Sequence, residues 1–165
     1  MIMQTPNVQF IFISASQQMM HCFENDKPHK SYVISTGKNG LGEKTGSECT
    51  PRGWHRIHSK IGLDAAVNSV FVSREWTGEI YTPELAAQFP GRDWILTRIM
   101  QLDGLEEGRN RGGDVDSLRR YIYIHGTPDT TELGKPGSRG CIRMRNADLI
   151  ELVDWVALDT KVCIE

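Results

Sequence analysis

His125 and Cys141 are the residues whose types could make and break an acyl bond. A cysteine is a strong nucleophile near neutral pH only as its thiolate, and an imidazole can take the thiol proton and remain beside the anion. Arg139 and Arg143 flank Cys141 two residues to either side, so in an extended segment they share its face and lower its pKa further. Ser138 and Gly140 lead into the cysteine. Glycine there lets the backbone approach a substrate, and successive amides can form an oxyanion hole for a tetrahedral intermediate. Spacing alone leaves a second account open, a core cysteine and a structural histidine, because the 15 residues between them do not prove proximity.

Positioning such a pair requires a strand and a returning loop. Tyr121-Ile122-Tyr123-Ile124-His125 reads as a strand with Tyr121, Tyr123 and His125 on one face, ending at a sheet edge. The segment from Gly126 to Gly140, rich in glycine and proline, is long enough to bring Cys141 back to the imidazole. Further strands are expected over 8–13, 31–36, 54–61, 69–73 and 94–102, the last also open to a helical reading. Thr82-Pro83-Glu84 starts a short helix by capping. A stronger helix follows Asn146, with Leu149, Leu152, Val153 and Val156 on one face to pack on the sheet. Residues 37–53, with five glycines, read as a long loop, and 104–118 as a polar surface loop or lid. The fold class is mainly β, in a single domain over 1–165.

Composition narrows the partners. Nineteen Lys+Arg against 21 Asp+Glu leave a formal charge of −2, which gives no electrostatic reason to expect nucleic acid or an anionic membrane. The four cysteines are scattered and read as reduced thiols. No Cys-x2-Cys or His-x3-His pair occurs, so neither a metal nor another cofactor is expected, and His55 and His58 read as strand decoration. Gly37-x4-Gly42 with Glu43-Lys44-Thr45 misses the P-loop pattern by one inserted residue. Residues 1–20 hold no Lys or Arg and only the short apolar run Phe10–Ile13, so the chain is expected in the cytoplasm.

His125-Gly126-Thr127 followed by Ser138-Arg139-Gly140-Cys141-Ile142-Arg143-Met144 resembles the signature of the L,D-transpeptidase catalytic-domain (YkuD-type) family. Ser35-Thr36-Gly37-Lys38 and Thr50-Pro51-Arg52-Gly53 are similar to that family's upstream elements. The resemblance implies a sandwich-like β fold and a cysteine enzyme. Cys141 would be the acylated nucleophile, His125 the general base and acid, and the Gly126 carbonyl the group that orients the imidazole. The amides of Gly140 and Cys141 would bind the oxyanion. Arg139 stands where the family most often has histidine; with Ser138 and Arg143 it is expected to contact substrate, the arginines at a carboxylate. The implied substrate is a peptidoglycan stem peptide. A cytoplasmic location favours an L,D-carboxypeptidase that trims tetrapeptides during wall recycling. The alternatives are an L,D-transpeptidase and, in another class, a non-catalytic peptidoglycan-binding module.

Overall fold

The computed structural model describes residues 7–165. Chain order runs β1 (Gln9–Ser14), β2 (Met19–Glu24), β3 (Lys27–Ser35), β4 (Gly53–Ile61), β5 (Ser69–Val72), β6 (Glu75–Ile80), α1 (Pro83–Gln88), β7 (Ile95–Gly104), β8 (Tyr123–Thr127), β9 (Ile142–Arg145), α2 (Asn146–Trp155) and β10 (Lys161–Ile164). Strand thus dominates, and the expected helix follows the cysteine segment. All ten strands join one sheet in the order β4-β10-β1-β2-β3-β9-β8-β7-β5-β6. A further β4–β7 pairing closes eight of them into a ring, from which the β5–β6 hairpin extends.

Alternation explains the layering. Ile11 and Ile13 of β1, Ile34 of β3, Ile122 and Ile124 at β8, and Ile142 and Met144 of β9 point into one core, where Leu149, Leu152 and Val153 of α2 meet them. The helix lies against β7, β8 and β9. The opposite face of β8 carries a smaller cluster of Phe71, Ile99 and Tyr123, with Cys141 packed against it. Chemistry can reside on that second face because the first is already filled.

Three local expectations change. β8 lies inside the sheet, paired antiparallel to β7 and parallel to β9, so His125 is not at an edge. Tyr121 leaves the strand path with φ +57° and is exposed, whereas Tyr123 keeps the face that it shares with His125. Segment 104–118 is a surface loop only in part: Asn110 and Ser117 are fully buried, and Asn110 donates to the carbonyls of Arg52 and Trp54 at 3.0 Å each. His55 is likewise fully buried, its Nε2 2.8 Å from Ser117 Oγ and its Nδ1 3.1 Å from the Gly53 carbonyl. It is a core histidine, because a polar loop folds back to supply its partner.

Candidate active site

β8 and β9 run side by side with Ile124 opposite Ile142 and His125 opposite Arg143. Cys141 precedes β9 by one residue, so with Tyr123, His125 and Arg143 it occupies the outer face of two neighbouring strands. The loop does bring the thiol back to the strand of the imidazole. His125 is buried, and its Nδ1 lies 2.6 Å from the Gly126 carbonyl. A carbonyl only accepts, so this bond places the proton on Nδ1 and leaves Nε2 free to act as a base. Gly126 must be glycine for another reason: a Cβ there would lie 2.2 Å from Asn146 Oδ1 and 2.6 Å from the Leu96 carbonyl.

The electrostatics differ from the expected low-pKa thiol. Burial pushes the Cys141 pKa up to about 12, outweighing the Tyr123 N–H bond and the nearby charges of Arg143 and Arg120 that act the other way. Burial also lowers the His125 pKa, against the raising effects of the Gly126 carbonyl and Asp93. The resting pair is therefore a neutral thiol and a neutral imidazole. Cys141 Sγ accepts from Tyr123 N–H and donates to the Tyr121 carbonyl, both at 3.3 Å. Among the described residues it makes no hydrogen bond to His125.

Of the two flanking arginines, only Arg143 bears on the thiol. Gly140 has φ +120°, which breaks the extended path and sends Arg139 out to solvent. Arg143 is tied by Nη2 to Asp93 at 3.0 Å and by Nη1 to the Gly137 carbonyl at 3.0 Å. The second cation near the thiol is Arg120, half-buried, which donates to the carbonyls of Glu43 at 3.1 Å and Cys49 at 2.7 Å. Sequence reasoning missed Arg120 and Asp93. Neither stands near Cys141 along the chain, and only the fold brings them there.

The loop holding Cys141 rests on the two upstream elements. Thr50, fully buried, accepts from the Gly37 N–H and donates to the Gly140 carbonyl, each at 2.8 Å. Ser138 is buried as well; its hydroxyl donates to the Cys141 carbonyl and accepts from the Gly140 N–H at 3.1 Å. Ser138 therefore braces the turn, and the Gly140 amide is occupied in this structure. Before that amide could join an oxyanion hole, it would have to leave the Ser138 hydroxyl. Asn146, also buried, accepts from Thr97 Oγ1 at 2.7 Å and donates to Asn68 at 3.0 Å, holding the ground beneath Gly126.

Two clefts flank the cysteine loop. One, of about 350 Å³, has Arg143, Asp93, Lys38 and Thr127 in its wall. The other, of about 320 Å³, has Arg119, Arg120 and Tyr121. Glu48 and Arg139 line both. Cys141 and His125 line neither cleft, but Arg143 of the first follows Cys141 by two residues and Tyr121 of the second takes the thiol's hydrogen bond on its carbonyl.

Residues 8–164 match the family model described as the L,D-transpeptidase catalytic domain. A stretch of 61 residues is 46% identical to the YkuD protein of Bacillus subtilis, covering 34% of this chain and 37% of that protein. The YkuD protein of Bacillus licheniformis is 49% identical over 49 residues, 29% of this chain and 30% of that protein. The matched stretches thus span about a third of these curated relatives. Among solved structures, an L,D-transpeptidase from Mycobacterium smegmatis aligns over 96% of this chain and 59% of its own, with TM-score 0.61 and 17% identity. One from Enterococcus faecium aligns over 96% and 50%, with TM-score 0.59 and 17% identity. At such identities the likeness establishes the shared fold.

Proposed function

The chain belongs to the L,D-transpeptidase catalytic-domain family, and from that membership we propose that it is a cysteine L,D-carboxypeptidase acting on peptidoglycan stem tetrapeptides. The observation that carries the reading is the shared outer face of β8 and β9, where Cys141 neighbours an imidazole whose Nδ1 is held by the Gly126 carbonyl. That arrangement supplies a nucleophile and a base of fixed tautomer.

In this mechanism a substrate carbonyl seats beside Cys141 and the thiol turns from the Tyr121 carbonyl toward His125. Nε2 takes the thiol proton as Sγ adds to the carbonyl carbon, so no free thiolate accumulates first. The oxyanion is met by the Cys141 amide and by the Gly140 amide once it leaves Ser138. Collapse breaks the C–N bond, and imidazolium Nε2 returns its proton to the departing amine of D-alanine. Water then adds to the thioester as His125 takes its proton; the C–S bond breaks and the thiol is restored. The products are a tripeptide and free D-alanine.

Hydrolysis is supported by access. Cys141 is half-buried, and Arg143 and Tyr121 beside it line two clefts, which favours entry of water to the thioester. The second cleft favours one alternative, transpeptidation, because it offers an acceptor amine a place beside the same acyl-enzyme. A role in wall recycling and a cytoplasmic location accompany the hydrolytic reading, and fractionation of the native host's cells tests the location. Incubation with a disaccharide- or nucleotide-linked tetrapeptide, followed by mass spectrometry, should give mainly tripeptide and D-alanine, and nothing with Cys141→Ala. Mostly cross-linked dimers, or faster exchange of the terminal residue for added D-amino acids, would establish the transpeptidase instead.

A further inference from the structure

We propose that Arg120 is a positioning residue of the acyl-transfer centre, holding an unpaired positive charge near the sulfur of Cys141 for the moments at which that sulfur becomes anionic. This rests on the acyl-transfer reading and adds to it a residue outside the segments that carry the family resemblance.

Arg120 meets the surroundings of the nucleophile from two sides. It directly precedes Tyr121, whose carbonyl accepts from Cys141 Sγ at 3.3 Å. Its Nη2 donates at 2.7 Å to the Cys49 carbonyl, and that oxygen would lie 3.0 Å from a Cβ at Gly140. The carbonyls of Gly42 and Glu43 and the Ser47 hydroxyl, at 3.4, 3.1 and 3.4 Å, are its other acceptors. The guanidinium thus clamps the loop between β3 and β4 against the Gly140-Cys141 turn.

Every one of these acceptors is neutral. A guanidinium stays charged when half-buried, and a charge withdrawn from water is ordinarily matched by a carboxylate. Glu43 gives its two carboxylate oxygens to Arg52 at 3.1 Å each, and Arg120 forms no ion pair among the described residues. Around the thiol, His125 and Tyr123 are neutral at rest, and the charged groups that bear on it are Asp93, Arg143 and Arg120. Asp93 and Arg143 neutralise each other in a 3.0 Å ion pair. Arg120 is left without a counter-charge, and the reaction supplies one twice. The first is when the thiol proton passes to His125 as Sγ adds to the carbonyl; the second is when the C–S bond breaks and sulfur leaves. An attraction that exists only while sulfur carries negative charge favours those transition states over the resting enzyme.

Native-state iodoacetamide labelling of Cys141 at pH 9 reads the charge on sulfur without substrate, and D-alanine release from a stem tetrapeptide reads turnover. Arg120→Gln should slow labelling about fivefold or more and lower kcat with KM held, whereas Arg120→Lys should label within about twofold of wild type. A brace alone would act the other way, because a loosened turn exposes the thiol and speeds labelling. Ser47→Asp tests the charge with the brace kept: Ser47 Oγ lies 3.4 Å from Arg120 Nη2 and accepts from the Cys49 N–H at 3.2 Å, and a carboxylate serves both donors. It should slow labelling as Arg120→Gln does, with Ser47→Asn at the wild-type rate. Unchanged or faster labelling of Arg120→Gln, or a wild-type rate in Ser47→Asp, overturns the proposal. The expected labelling pattern in a protein that releases no D-alanine overturns the acyl-transfer reading and leaves the charge of Arg120 acting on the thiol.

Discussion

At the scale of single residues, the neutral thiol–imidazole pair makes a sharper prediction than nucleophile identity alone. With the Cys141 pKa pushed up to about 12 by burial, native-state iodoacetamide labelling at that residue should rise about tenfold per pH unit from pH 7 to 10. Mapped rates that are already high and level at pH 6–7 would instead indicate a thiolate–imidazolium pair. The base should matter as much as the nucleophile: His125→Ala should reduce kcat by about 10²–10⁴-fold, while His58→Ala, on β4, should leave the turnover assay near wild type. Equal losses from the two variants would remove His125 from its role. The types of these residues were legible in the sequence, because a chemical role is tied to residue identity, whereas the part of the Gly126 carbonyl came only with the family resemblance. The charge environment was not. It depends on burial, on the φ of Gly140 that turns Arg139 away, and on Asp93 and Arg120, which lie 48 and 21 residues before Cys141 in the chain.

At the scale of elements, Thr50 joins the loop after β3 to the turn that carries the nucleophile. Thr50→Val removes the one hydroxyl shared by the Gly37 amide and the Gly140 carbonyl, leaving two buried backbone groups without partners. A loss of about 1–3 kcal/mol in urea unfolding is expected, with a fall in kcat as the Cys141 turn loosens, and Thr50→Ser should recover most of both. If Val and Ser variants behave alike, the hydroxyl is not the brace. Strands with a clean alternation or a β-branched run, such as β1, β4 and β8, were legible in the sequence, as was α2 from its apolar spacing. β2, β6 and β10 were not. β6 buries none of its side chains and exists through its pairing with β5. β10 is four residues long and is held between β1 and β4, two strands distant from it in the chain. Pairing of that kind is a property of the assembled sheet, which local pattern does not carry.

At the scale of the whole molecule, the ring closure that buries His55 should set the acid limit of stability. Its pKa falls from 6.5 to about 4, chiefly through burial, and the neighbouring Glu106 and Asp103 charges offset this only in part. The unfolded chain binds a proton at His55 near pH 6.5 whereas the folded chain resists it until about pH 4, so the unfolded state holds more protons in that interval. Stability must therefore fall as the pH drops from 6.5 toward 4, by roughly 3 kcal/mol for this group at 1.36 kcal/mol per pKa unit. His125 is lowered in the same direction and adds to the slope. Glu79, Glu106 and Glu151 are carboxylates held below their ordinary value of 4.5, so their stabilising effect starts to be lost once unfolded carboxylates bind protons, below about pH 5.5, and the histidine effect is read cleanly above that. Urea unfolding free energies measured at half-unit steps from pH 8 to pH 5.5 should fall progressively in the wild type as the pH drops below about 6.5. His55→Gln, which keeps an amide for the Ser117 and Gly53 contacts, should lower stability at pH 8 and make the dependence on pH shallower. Identical slopes for the two proteins would mean that His55 is protonated in the folded state, and the burial argument for it would be wrong.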